Sequence, residues 1–218
     1  MVINFNKART VPLLAEFLGT SVLVMVALVL AQTTGVPYFI ATSVAVTLGL
    51  VYVLFGSVSG GHFNPAITVG MWSARRISAV RGVTYIAAQM LGGVASWQLF
   101  QYFTNQSLPA KTTNWSTPVF LAELVGTAIL AMGLTAALTR GLDTLTTALA
   151  YGAAFFAGIL VAATASAGYL NPASALALRN WNSVYVLGPL VGGIVGVNLY
   201  MWFFAPVKAG RAKTGRKK

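Results

Sequence analysis

Two Asn-Pro-Ala tripeptides, Asn64-Pro65-Ala66 and Asn171-Pro172-Ala173, carry the clearest chemical signal in this chain. Asn is a strong helix N-cap, and Pro suits the first helical position, where its missing N–H would be unpaired in any case. Each tripeptide therefore reads as the start of a helix. If the side-chain oxygen caps that helix, the amide NH2 is left pointing into a lumen, where it can donate to a passing water or hydroxyl. Two helix N-termini aimed at one spot add positive potential, which disfavours cations and protons. A single copy is an ordinary helix start, but two copies at equal phase specify a polar track through an apolar wall.

The other titratable groups are few. There are three acids, Glu16, Glu123 and Asp143, one histidine, His62, and no cysteine. Glu16 and Glu123 fall inside apolar runs, where an ionisable group is costly unless paired and is a functional candidate by default. One reading is a proton relay. The other, favoured by their symmetric placement, is structural: each carboxylate accepts hydrogen bonds from unwound backbone ahead of a tripeptide. His62 has no companions for a metal site. It reads as a residue lining a vestibule and bonding a neighbouring carbonyl, or as a pH gate, since imidazole titrates near neutrality. No nucleophile–base pair or metal cluster is visible, so the sequence points away from an enzyme and implies no cofactor.

These residues must be positioned by membrane-spanning helices. The chain is 57% hydrophobic and 8% charged, against roughly 25% charged in soluble domains. A span needs about 20 mostly apolar residues. Six runs qualify, at about 11–31, 38–56, 82–103, 118–138, 145–165 and 184–205. Two further stretches, starting at Asn64 and Asn171, extend for about ten residues, or about 15 Å, half the hydrocarbon thickness. The formal charge of +11 gathers at the chain ends and short connections, which fits lipid headgroups better than nucleic acid. With the N-terminus inside, 12 of the 14 basic residues fall on the cytoplasmic side and only Lys111 and Arg179 on the other. Both termini, including a basic tail at 206–218, are thus expected in the cytoplasm of a multi-pass cell-membrane protein. No cleavable signal peptide is evident.

An internal repeat organises the elements. Ala15-Glu16-Phe17-Leu18-Gly19-Thr20 returns as Ala122-Glu123-Leu124-Val125-Gly126-Thr127, and the tripeptides recur at the same offset of 107 residues. Ser59 and Gly61 match Ser166 and Gly168. Repeat one covers about 11–103 and repeat two about 118–205, within a single membrane channel domain spanning 1–218. Each has three spans, so the second copy enters the membrane upside down, and the site is expected near the midplane where the repeats meet. The unwound stretches Gly60-Gly61-His62-Phe63 and Ala167-Gly168-Tyr169-Leu170 would carry carbonyls free to accept. Gly188, Gly192 and Gly196 form a small-residue ridge for close helix contact.

With these motifs in hand, the chain resembles the major intrinsic protein family, the aquaporins and aquaglyceroporins, over about residues 12–205. The carriers are the Ala15–Thr20 segment, Ser59-Gly60-Gly61-His62-Phe63 with the first tripeptide, Tyr85-Ile86-Ala87-Ala88-Gln89, the second tripeptide and Gly188-Pro189 opening the last span. The resemblance implies an all-α polytopic fold of six transmembrane helices plus two re-entrant half-helices, one pore per subunit, and a homotetramer. It also implies a selectivity filter at Val44, Ile159, Gly168 and Ser174. Here the chain departs from its relatives. Most members carry arginine at the position of Ser174, and water-selective ones add histidine at Ile159 and a bulky aromatic at Val44. The filter of this chain is therefore expected to be wide and weakly polar, with Tyr169 as the side chain best placed to refill it.

The leading expectation is a passive channel for water and small uncharged solutes such as glycerol. One alternative is a secondary transporter on the same scaffold, which would show saturable, ion-coupled uptake and would have only Glu16 and Glu123 as membrane acids. Another is a closed-pore structural or adhesion protein, which would favour longer extracellular loops than the one at about 104–117.

Overall fold

The computed structural model describes residues 7–206. The basic side chains of the tail, Lys208 to Lys218, lie outside the described residues. Eight helices follow in order: α1 (Lys7–Thr33), α2 (Pro37–Ser59), α3 (Pro65–Ser73), α4 (Ala79–Thr104), α5 (Thr117–Arg140), α6 (Thr144–Ala162), α7 (Pro172–Ala177) and α8 (Ser183–Phe203). Among the described residues there is no strand. Five of the six long helices are apolar enough to cross a membrane on length and composition alone. The sixth, α4, carries Arg81, Gln89 and Gln101 and is held instead by packing on α1, α3 and α7.

Helix starts follow local chemistry. Asn64, Ser78, Asp143, Asn171 and Asn182 each accept a backbone N–H of the helix they open, satisfying donors that a helix N-terminus leaves orphaned. Asp143 lies in the short turn between α5 and α6, and the Thr146 hydroxyl and N–H hold its carboxyl below its ordinary range. Pro189 sits well inside α8, which begins at Ser183, so Gly188-Pro189 does not open the last span.

The two short helices are unequal. α3 has 9 residues and α7 only 6, short of the ten expected for each. Arg75 follows α3 at φ 56° and Arg179 follows α7 at φ 61°. The same left-handed stop therefore comes one turn earlier in the second repeat.

Packing interleaves the halves. α1 lies between α2 and α4, and α5 between α6 and α8, while α2 and α6 join the repeats. Each half-helix packs chiefly on the other repeat: α3 on α8, and α7 on α4. Glycines make these approaches possible. The ridge Gly188, Gly192 and Gly196 faces the α5 backbone at Phe120, Leu124 and Ala128. Gly193 lies against the Ala66 carbonyl and Gly93 against that of Ala173, so a glycine of the opposite repeat backs each tripeptide. Outward-facing Val46, Leu54, Leu91 and Leu149 are exposed, as suits a surface bathed in lipid.

A Cβ at position 193 would strike backbone of the first tripeptide, whereas one at Gly35 meets nothing within 4 Å. Gly193→Ala is expected to destabilise the protein by about 1–3 kcal/mol, seen as a lower midpoint of thermal unfolding in detergent, with Gly35→Ala close to wild type.

Candidate pore and its supporting loops

The unwound segments before α3 and α7 are built on one plan. Gly61 and Gly168 take φ 68° and 67°, and Phe63 and Leu170 both take φ 50°. Left-handed non-glycine residues persist only where surroundings over-determine them, and here a buried carboxylate does so. Glu16 Oε1 accepts from the Ser59 hydroxyl at 2.6 Å and the His62 N–H at 3.0 Å, and Oε2 from the Phe63 N–H at 2.6 Å. Glu123 repeats the pattern, with the Ser166 hydroxyl, the Tyr169 N–H at 3.0 Å and the Leu170 N–H at 2.7 Å. Both glutamates are fully buried.

The repeats differ in what else reaches the carboxylate. Gln89 on α4 donates to Glu16 Oε2 at 2.7 Å and to the Thr68 hydroxyl at 2.8 Å. Thr68 in turn meets His62 Nδ1 at 3.0 Å. The His62 side chain is thus tied to a hydroxyl and not to the neighbouring carbonyl expected from sequence. In the second repeat the position equivalent to Gln89 is Gly196, one of the ridge glycines.

The tripeptides meet at their asparagines. Asn64 Oδ1 accepts from the Ala66 N–H at 2.8 Å and Asn171 Oδ1 from the Ala173 N–H at 2.9 Å. This leaves the amide nitrogens as donors. Asn64 Nδ2 donates to the Leu170 carbonyl at 2.8 Å, and Asn171 Nδ2 to the Phe63 carbonyl at 3.1 Å. One proton of each NH2 is therefore spent across the repeat boundary, and only the second remains, a correction to the expectation of a wholly free amide. The loop carbonyls are likewise not all free: Phe63 and Leu170 accept these amides, and the His62 carbonyl accepts the Tyr151 hydroxyl at 3.0 Å.

Two cavities flank this junction. One, of about 280 Å³, is lined by Val44, Ile159, Gly168 and Ser174 together, with Tyr169 beside them. The Tyr169 ring is held to the wall by Tyr185, with ring centroids 4.5 Å apart, and by the Asn180 amide at 3.4 Å from its hydroxyl. The other cavity, of about 500 Å³, is lined by Ser59, Gly60, His62, Arg76, Arg81 and Tyr85 among others. His62 and Tyr169 are 107 positions apart and thus occupy corresponding places in the two cavities. Among the described residues no cluster of three His, Cys, Asp or Glu could hold a metal.

A family model described as major intrinsic protein matches residues 5–200. The chain belongs to the major intrinsic protein family. It is 30% identical to aquaporin Z of Photorhabdus laumondii over 225 residues, covering 88% of this chain and 97% of that one. It is 34% identical to bovine aquaporin-4 over 167 residues, 70% of this chain and 52% of that protein, so it spans about half the length of that relative. The fold matches the X-ray structure of the aquaglyceroporin from Plasmodium falciparum with TM-score 0.75 at 20% identity, over 89% of this chain and 96% of that one. As a major intrinsic protein the chain is a multi-pass membrane protein and a passive channel for water and small solutes rather than an enzyme.

Two residues of this major intrinsic protein that take part in the site, Thr68 and Tyr151, were not singled out from sequence; both contact the first loop. Tyr85, named from sequence only as part of a family motif, donates to the Ser59 carbonyl at 2.8 Å. Tyr85 and Gln89, four apart on one helix face, do stand in a motif that signals a polar stripe on α4. Tyr151 has no such signal.

Glu16→Ala would leave the His62 and Phe63 N–H groups, the Ser59 hydroxyl and the Gln89 amide without this acceptor. At about 1–3 kcal/mol for each buried group left unpaired, the expected outcome is loss of folded protein, followed by size-exclusion chromatography and thermal unfolding. Glu123→Ala should behave alike. Well-folded variants with altered solute preference would point instead to a direct role in the pore.

Proposed function

We propose that this channel conducts uncharged solutes of glycerol size as well as water, through a lumen lined by Asn64 and Asn171 and narrowed at Val44, Ile159, Gly168 and Ser174. The observation that carries this reading is the convergence of those four residues on one cavity of about 280 Å³ with none of them charged. Gly168 adds no bulk, and Ser174 adds a single small hydroxyl. Val44 and Ile159 supply an apolar wall for the carbons of a polyol. Ser174 and the second protons of the asparagine amides supply donors for its hydroxyls, and the Gly60, Gly61, Ala167 and Gly168 carbonyls supply acceptors.

Glu16 and Glu123 act in this reading as supports of the loops and not as proton carriers, because each carboxylate accepts from a serine hydroxyl and two loop N–H groups. His62 lines the inner vestibule. The relatives named above support a membrane setting, and the repeat fits a single channel domain with both termini in the cytoplasm. We infer a homotetramer with one pore per subunit from the family resemblance.

Stopped-flow light scattering on proteoliposomes tests the solute reading. Wild-type vesicles are expected to pass glycerol as well as water. Ser174→Arg brings a long cationic side chain with up to five donors to the constriction. It should cut glycerol flux by about tenfold, equivalent to about 1.4 kcal/mol of added barrier, and water flux by much less. Wild-type vesicles that pass water rapidly but stay tight to glycerol and urea would overturn the wide-filter reading.

A further inference from the structure

We propose that Lys111, in the connection between α4 and α5, is the fixed cation that keeps small cations out of this pore. The inference rests on the channel reading above. Among the described residues, Lys111 is the only charged side chain lining the cavity that contains Val44, Ile159, Gly168 and Ser174. Glu123 is fully buried, with its oxygens turned onto the Ser166, Tyr169 and Leu170 donors. Asp143 caps the start of α6, whereas the cavity lies by Ile159 near the end of that helix.

The connection is fastened where Lys111 needs it. The Lys111 N–H donates to the Arg179 carbonyl at 2.6 Å. Two residues on, the Thr113 hydroxyl donates to Asn180 Oδ1 at 2.9 Å. Upstream, Leu108 packs into the apolar cluster of Trp97, Phe100 and Leu178. Arg179 is not among the residues lining this cavity; its guanidinium keeps its charge but is turned onto the Trp97 ring, 4.3 Å from the centroid. The segment is therefore a strap with three anchors around one lysine whose side chain is exposed. A unit charge on the wall of so small a cavity acts across it well within the Debye length of about 10 Å at 0.1 M salt. Field lines from the mouth of a low-dielectric pore are focused along its axis. The constriction can then be wide and uncharged while entry is still selected by sign.

Urea and guanidinium separate charge from size, being close in shape and differing in charge. Proteoliposomes of wild type, Lys111→Arg, Lys111→Gln and Lys111→Glu should be compared for both fluxes at low and high ionic strength. Guanidinium flux is expected to rise by about tenfold in Lys111→Glu at low salt, less in Lys111→Gln, and not in Lys111→Arg. The difference should shrink at high salt, since screening weakens an exposed charge and leaves pore width untouched. Urea flux should stay within about twofold across the series, which also certifies folding. Guanidinium flux unchanged by Lys111→Glu while urea passes, or raised equally at all salt concentrations, would overturn the role of Lys111. Wild-type vesicles tight to both urea and glycerol would overturn the solute reading, and this inference with it.

Discussion

Irregular backbone in the middle of a membrane is tolerated only if its polar groups find partners inside the protein. Every feature of the candidate pore depends on how this chain meets that constraint. Each loop turns its N–H groups inward onto a buried glutamate, so that its direction is set by one side chain from the first helix of its repeat. The carboxylates make the loops possible, the loops deliver the asparagines, and the asparagines start the half-helices. The left-handed Phe63 and Leu170 are held against their intrinsic preference by the same bonds.

Close packing is the second requirement. A half-helix can reach the midplane only if neighbouring helices let its backbone approach, and the glycines at positions 93 and 193 provide this for α7 and α3. Because those glycines belong to the opposite repeat, the two halves are interlocked and do not merely lie side by side. Shared positioning of this kind explains why the cavity beside Ser174 draws residues from α2, α6, the loop before α7 and α7 itself.

Much of this was legible in the sequence. The spans, the repeat, the half-helix starts and the buried acids follow from hydropathy, phase and capping chemistry, all local or periodic signals. What was not legible depends on tertiary contact. The partners of the asparagine amides lie 106 and 108 residues away, and no local pattern specifies them. The early stop of α7 at Ala177 is marked only by a left-handed arginine, a residue type with no preference for that conformation. The hydroxyl partner of His62 sits six residues along the chain, yet that hydroxyl is also bonded by Gln89 from another helix, a contact no local pattern specifies. Lys111 was visible as a charge on the sparsely charged side, but its place beside the constriction required the fold of the strap.

The crossed amide bonds carry a consequence for how such a protein comes to exist. Asn64 with Leu170, and Asn171 with Phe63, form a self-complementary junction in which each half offers the other the same donor and the same acceptor. That is the geometry of an isologous two-fold interface, folded into one polypeptide. Neither half can complete this junction alone, because each amide finds its carbonyl in the other half. A single half-chain able to insert in both orientations could satisfy the same junction as an antiparallel pair. The covalent link between the halves then contributes what any tether does: it fixes stoichiometry and raises the local concentration of the partner.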